Sequence, residues 1–366
     1  MELSLEHSEC AVVEERRVAA RRSRLARATE WLLPYAARFG GGYFAGGVER
    51  AVCRAIHGAA RRRALFRFAP PPPFRRAVHP HGARCADEYS FRSPFVSRWR
   101  VRNDALVHHY RDGAGQRPLV VLNPDDGLLA RVLFARAFVR PLLAGGVDVA
   151  VPIAPGSASR RTPEDRRRGW AHSVGAALSA IVQLVHDNVA IEAWARERGY
   201  RTVVVSGLGR GGTVAAILAA TTTRFDAYVP MLAGAHPGRV WVPPRARAGA
   251  VHVRALARDG VRHRGTLLRL FDPVAPIRLP PPRTRERCAI IGLRFDPVVP
   301  AADVRELARH WSVTARWLPR ARVELPLYAP ELATIVAGIA RTRGACAASY
   351  SLVTSRSVDP GHQAGK

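Results

Sequence analysis

The amino-acid sequence predicts an α/β fold: a mostly parallel sheet with helices on both faces, an N-terminal helical extension and an inserted cap. Three observations predict it. From about residue 119 onward, short apolar runs alternate with longer helical stretches, the order that builds parallel sheets. One such run, "VVVSGLGRGGTVAAILAA" (Val203 to Ala220), passes through a glycine cluster into an apolar helix. The chain has 366 residues, 48% of them hydrophobic, enough to bury a sizeable core.

The elements follow in order. Residues 1–68 form a basic helical extension in which Val18, Leu25, Trp31 and Leu32 stand among arginines. Pro34 and the glycines at 40–42 interrupt it, which favours packing on the main domain over one long interfacial helix. Residues 69–90, with "APPPPF", form a linker. The main domain spans 91–345. It opens with two alternating strands, "FVSRWRVRND" and "ALVHHYRDG", turning near Asn103-Asp104. Next come a strand at 119–122, a helix at 128–143 and a strand at 147–151. A polar loop and a helix at 170–198 lead to the strand at 202–205. Its glycine-led helix ends near Thr222, and a further strand covers 227–232. Residues 233–286, rich in arginine and proline, are the cap. "CAIIGL" is a strand, 302–310 a helix, 323–325 a short strand and 331–341 the last helix. Residues 346–366 are a flexible tail.

The net charge is +28, from 57 basic and 29 acidic residues, and Lys366 is the sole lysine. A GC-rich genome accounts for arginine in place of lysine. It leaves the excess of base over acid unexplained, so an anionic partner, nucleic acid or phospholipid, stays open. The clusters Arg61 to Arg63, Arg160-Arg161 and Arg166 to Arg168 are expected to be solvated faces. Aromatic residues, 7% of the chain, are not interleaved with them as stacking on single strands requires. The five cysteines form no C-x-x-C pair, which predicts a reducing compartment without disulfides or a zinc ribbon. No run of about 18 apolar residues and no basic-then-apolar leader is seen, so a cytoplasmic protein, peripheral to a membrane at most, is expected. His79, His81 and the pair His108-His109 lack the companions of a metal site, and no cofactor is expected.

Two devices fit the glycine cluster. Gly207, Gly209 and Gly212 match the dinucleotide fingerprint G-x-G-x-x-G. That device needs an acid at the carboxyl end of the next strand. The candidate, Asp226, stands before "AYVPML", at the wrong end. Gly207 and Gly211 also match the nucleophile elbow G-x-S-x-G, with Gly209 in the serine's place. That second reading requires an acid in a turn after a later strand, and "IIGLRFDPVVP" supplies Asp296.

Together "PLVVLNPDDG", "GLGRGG" and "IIGLRFDPVVP" resemble the α/β-hydrolase superfamily over roughly residues 90–342. The resemblance implies an α/β-hydrolase-like sheet. It makes Gly209 the non-reactive occupant of the nucleophile position and Asp296 the acid. It puts Pro330 or Glu331 where the histidine should be, and no histidine lies between His310 and His362. Arg210 N–H is one oxyanion donor. The other should come from the loop holding Pro124, which has no N–H, and Asp125 and Asp126, whose charge opposes an oxyanion. Apart from the resemblance, His236, in the loop after the strand at 227–232, is either a loop residue or a candidate displaced base with Asp125, Asp126 or Asp296 as its partner. Ser206 and Thr213 are structural. Losing the serine or the histidine of such a unit costs on the order of 10⁶-fold in rate. The expectation is therefore a catalytically degenerate member whose crevice, lined by Asp125, Asp126, Arg210 and His236, binds a small acyl-type ligand or a protein. An esterase-like hydrolase with a rearranged catalytic set is one alternative. Association with an anionic surface through the arginine clusters is another.

Overall fold

The computed structural model describes residues 43–76, 86–112, 117–125, 135–241 and 253–355. The proposed extension up to residue 42, His79, His81, Asp126 and the end of the tail lie outside the described residues. The tail's first part is not separate: the last helix runs on to Ser355.

Among the described residues nine strands form one sheet, in the order β1-β2-β3-β5-β4-β6-β7-β8-β9. They are β1 (Arg75–Arg76), β2 (Ala86–Arg92), β3 (Asp104–Tyr110), β4 (Leu119–Asn123), β5 (Asp148–Pro152), β6 (Val203–Leu208), β7 (Ala227–Met231), β8 (Ile291–Leu293) and β9 (Arg316–Leu318). The strands β1, β2 and β3 run antiparallel, and β3 pairs β5 antiparallel. From β5 through β4, β6, β7 and β8 to β9 every pairing is parallel. The inner strands β4, β5, β6 and β7 are buried at every position, as strands covered on both faces must be.

The described helices are α1 (Arg50–Arg61), α2 (Arg140–Ala144), α3 (Pro163–Arg168), α4 (Val174–Glu197), α5 (Arg210–Thr221), α6 (Val253–Arg258), α7 (Arg264–Phe271), α8 (Ala301–Trp311) and α9 (Leu325–Ser355). Apolar residues of α1, α4, α5, α7 and α8 join one core on one face of the sheet. Those of α2 and α9 form the core on the other. Helix α4 is long and apolar enough to cross a membrane, although polar residues such as Gln183, His186 and Asn188 interrupt its apolar sequence. Here it lies wholly inside the core.

Several expectations need correction. Residues 95–99 are not strand, and 100–103 form a 3₁₀ turn. Asn103 accepts from Ser97 N (2.8 Å), Ser97 Oγ (2.9 Å) and Gln183 (3.0 Å), which folds the segment back on itself. Besides β5, the strand that pairs with β3 is β2, most of it from the segment 69–90 assigned to the linker, and each of its residues has a β3 partner. The last strand is β9, not 323–325. Pro330 does not delimit α9, which begins at Leu325 and passes through it. Arg160 is not solvated. It is buried, and Nη1 donates to Asp187 at 2.7 Å. Arg102 is buried too, with Asp165 and the backbone of Ala176 and Trp170 as partners.

His108 and His109 point to opposite faces, as neighbours on a strand do. His108 meets Glu88 at 3.0 Å. Buried His109 meets the Tyr200 hydroxyl at 2.8 Å, and that hydroxyl donates to Asp148 at 2.7 Å. The imidazole therefore donates through Nε2, and its buried Nδ1 has no partner among the described residues. Burial, reinforced by Arg111, lowers its pKa from 6.5 to about 4. The unfolded chain takes up this proton near 6.5 and the native one only near 4. Native stability from this group is thus present above 6.5 and is lost as pH falls to 4, by about 3 kcal/mol at most. His109→Gln keeps an N–H donor and cannot titrate. Urea midpoints followed over this range should fall less steeply for the variant, and parallel curves would refute the assignment.

Candidate functional site

The chain turns from β6 into α5 at Gly209, with φ 54° and ψ −110°. This backbone region is nearly free for glycine and strained for other residues. The corner is also crowded. A Cβ on Gly211 would strike the carbonyl of Asn123, and one on Gly207 would strike Gly211 itself. Glycine at these positions lets the first turn of α5 sit directly on the end of β4.

The end of β4 is held by a reciprocal amide pair. Asn123 Nδ2 donates to Asn188 Oδ1 and Asn188 Nδ2 to Asn123 Oδ1, both at 2.8 Å. The residues that follow cross over the corner, and Asp125 ends up above Gly209. A Cβ built on Gly209 would lie 2.5 Å from Asp125 Oδ2 and 2.6 Å from Cγ and Oδ1. The Asp125 carboxylate thus occupies the volume that a side chain at 209 would need.

On the other side, the pairing of β8 with β9 continues past the strand ends. Arg294 N donates to Leu318 O at 3.0 Å and Phe295 N to Arg320 O at 3.2 Å. Asp296 and Arg322 therefore emerge side by side. Asp296 Oδ1 accepts from Val298 N (2.8 Å) and Val299 N (3.2 Å), the turn its sequence suggests. Arg322 Nε lies 3.0 and 3.1 Å from the two Asp296 oxygens, and Nη2 lies 2.8 Å from Oδ2. Nη1 donates to Asp125 Oδ2 at 2.8 Å and Nη2 to Leu232 O at 3.3 Å. One guanidinium bridges two carboxylates, a planar fork matched to bidentate acceptors. Side-chain exposure is 1% for Asp296, 17% for Arg322 and 26% for Asp125. Burial opposes the Arg322 charge, and the Asp296 and Asp125 carboxylates outweigh it, so its pKa rises. The group holds two negative charges and one positive, and a guanidinium cannot accept a proton at any ordinary pH.

Gly209, Asp125 and Asp296 lie together in the structure, and Arg322 joins them. Pro330 and Glu331 do not take the histidine's place, because both lie inside α9. Arg322 stands in the connection after β9. The missed signal was "RWLPRARVE": once the strand is set at Arg316–Leu318, the segment after it contains Arg322. His236 does not pair with Asp125 or Asp296. Its Nε2 lies 3.3 Å from Asp272, and its Nδ1 accepts from Gly238 N at 3.1 Å. Burial lowers its pKa against the pull of Asp272. The Arg210 side chain turns onto the Trp170 ring, 4.1 Å from its centroid. Buried Ser206 donates to Val229 O at 2.9 Å, and Thr213 Oγ1 to Gly209 O at 3.2 Å. Asp226 accepts from Val203 N and Arg196, each at 2.8 Å, at the amino end of β7, far from any dinucleotide crevice. Among the described residues no group of three or more His, Cys, Asp or Glu is placed to hold a metal.

A family model described as "Alpha/beta hydrolase domain containing 18" matches residues 128–243. The acetyl xylan esterase of a Paenibacillus species is similar in structure, with TM-score 0.50 and 11% identity, over 76% of this chain and 90% of that one. Acetyl xylan esterase 1 of a Thermoanaerobacterium species superposes with TM-score 0.46 and 14% identity, over 78% and 90% of the two chains. A bacterial brefeldin A esterase, a homologue of human hormone-sensitive lipase, gives 0.42 and 16% over 83% and 86%. No curated protein matches the sequence. The sheet order, the flanking helices, the family-model match and the Paenibacillus esterase superposition fit an α/β-hydrolase-like fold.

Proposed function

We propose that this chain is a catalytically degenerate α/β-hydrolase that acts by binding, with the nucleophile position held by Gly209. One observation carries the reading: Asp125, Arg322 and Asp296 form a closed ion triad over that glycine. Arg322 takes the acid's hydrogen bonds where a hydrolase needs a histidine that can gain and lose a proton. The Asp125 carboxylate fills the nucleophile's volume. Its charge opposes the oxyanion of acyl transfer, which needs donors at that point. Beside the Asp125 carboxylate a neutral ligand or a cationic donor is favoured over an anionic one.

The test is a serine-directed fluorophosphonate together with p-nitrophenyl acetate and butyrate. The expected result is no labelled residue near the β6–α5 corner and ester hydrolysis at the rate of the buffer blank. Labelling that disappears on Ser206→Ala, with saturable ester turnover, overturns the reading in favour of a rearranged hydrolase.

A further inference from the structure

A groove on the helical side of the molecule has a cavity volume of about 1210 Å³ and is lined by Arg61, Arg63, Arg269, Arg278 and Arg283. These arginines come from three separate parts of the chain: the end of α1, helix α7 and the segment after it. Elsewhere on the described surface some arginines meet carboxylates, as Arg76 does Asp87, Arg196 Asp226 and Arg224 Glu192, and others, such as Arg54 and Arg201, do not. Around the groove one carboxylate, Asp272, faces all five. It is shared between Arg278 (3.4 Å) and His236 (3.3 Å). Among the described residues Arg61, Arg63, Arg269 and Arg283 have no ion-pair partner. Their convergence on one hollow from three parts of the chain concentrates positive charge there.

Arg63 supplies a second, independent observation. Helix α1 ends in a Schellman turn, with Arg63 N donating to Ala60 O and Ala64 N to Ala59 O, both at 2.9 Å. Arg63 takes the left-handed position, φ 54°, where glycine is the residue the backbone prefers. An arginine there costs backbone energy and gains nothing from the turn itself.

We propose that this groove binds a soluble oligophosphate, a molecule with a chain of two or more phosphoryl groups such as a nucleoside triphosphate. Guanidinium forks on several sides of a hollow match successive phosphates, each of which accepts two parallel N–H bonds. Phe66, Leu279 and Pro280 give the groove an apolar wall beside the charges. A membrane surface fits less well. Interfacial binding needs exposed apolar side chains next to the basic ones. The exposed large hydrophobic residues among those described are Val96, Val101, Val253 and Leu327, and none lines the groove. The assignment is independent of whether the Gly209 site is catalytic.

The experiment is calorimetric titration of the full chain with tripolyphosphate, with ATP and with phosphatidylglycerol vesicles, near physiological salt. Saturable one-to-one binding of tripolyphosphate and ATP is expected. R63G and R283A should each weaken it about tenfold, the loss of one charged hydrogen-bonding group. R63G should at the same time keep or raise the Tm, because glycine relaxes the turn. R166A, outside the groove, should bind like the parent. Tighter binding of ATP than of tripolyphosphate assigns the apolar wall to a base, and equal binding assigns the groove to the phosphate chain alone. The proposal is overturned by the absence of saturable tripolyphosphate binding, by an equal loss in R166A, by no effect of R63G and R283A, or by binding to vesicles alone.

Discussion

Replacing Arg322 with methionine is expected to destabilise the protein by about 3 kcal/mol, the low end of the cost of stripping one partner from a buried ion pair. The low end applies because the two carboxylates left behind are not equally stranded. Asp296 is almost fully buried but keeps two backbone N–H donors. Asp125 is more open to solvent and can turn toward water. Lysine at 322 should recover part of the loss. A compact ammonium can face one carboxylate, but it cannot bridge two as the guanidinium does. Urea midpoints for Arg322→Met, Asp125→Ala and the double variant close a cycle. A coupling of about 1 kcal/mol or more between the two positions is expected for groups in direct contact. Additive losses would show that the bridge from Arg322 to Asp125 contributes nothing, and the lock over Gly209 would lose its energetic basis.

The parts of this molecule legible in the sequence are those where local pattern and tertiary demand agree. The strands at 119–123 and 203–208 are apolar runs bounded by turn residues, and the parallel sheet needs them so. The glycines at 207 and 211 mark the corner because backbone approaches backbone there, and Gly209 because its φ is 54°, demands that few other residues meet. Asp296 was legible because its turn, "DPVVP", follows an apolar strand. What escaped the reading depended on the third dimension. Strand β9 has three residues and takes its identity from its pairing with β8, not from its own composition. Misplacing it moved the expected histidine position onto Pro330 and Glu331 and hid Arg322. Arg160 sits in an arginine-rich polar loop, and nothing local distinguishes it from its exposed neighbours. Its burial depends on Asp187, 27 residues away in α4. Strand β2 was lost to the linker because "ADEYSFR" carries three charges. Pairing with β3 on one side and β1 on the other defines it.

A serine placed at 209 should not by itself bring ester hydrolysis, for a geometric reason. Gly209→Ser puts a Cβ into a conformation that costs a non-glycine residue about 1–3 kcal/mol. The same atom would lie 2.5 Å from Asp125 Oδ2, so the carboxylate must swing away and give up its 2.8 Å bond to Arg322. Both effects lower stability, and the second vanishes when Asp125 is already absent. Gly209→Ser should therefore be less costly in an Asp125→Ala background than in the parent, a coupling that thermal or urea unfolding measures directly. Activity follows a different logic. A serine at 209 faces a guanidinium that cannot take its proton, so p-nitrophenyl ester hydrolysis by the single variant should stay at the blank rate. Serine, an imidazole at 322 in reach of Asp296, and removal of the Asp125 carboxylate are each needed. Members of such a unit act together, and the absence of one removes most of the roughly 10⁶-fold the unit supplies. The triple variant Gly209→Ser/Arg322→His/Asp125→Ala should then be the first in the series to react with a fluorophosphonate at residue 209. Labelling of Gly209→Ser alone, at a rate matching the triple variant, would mean that Arg322 and Asp125 do not block the site and that a serine at 209 suffices.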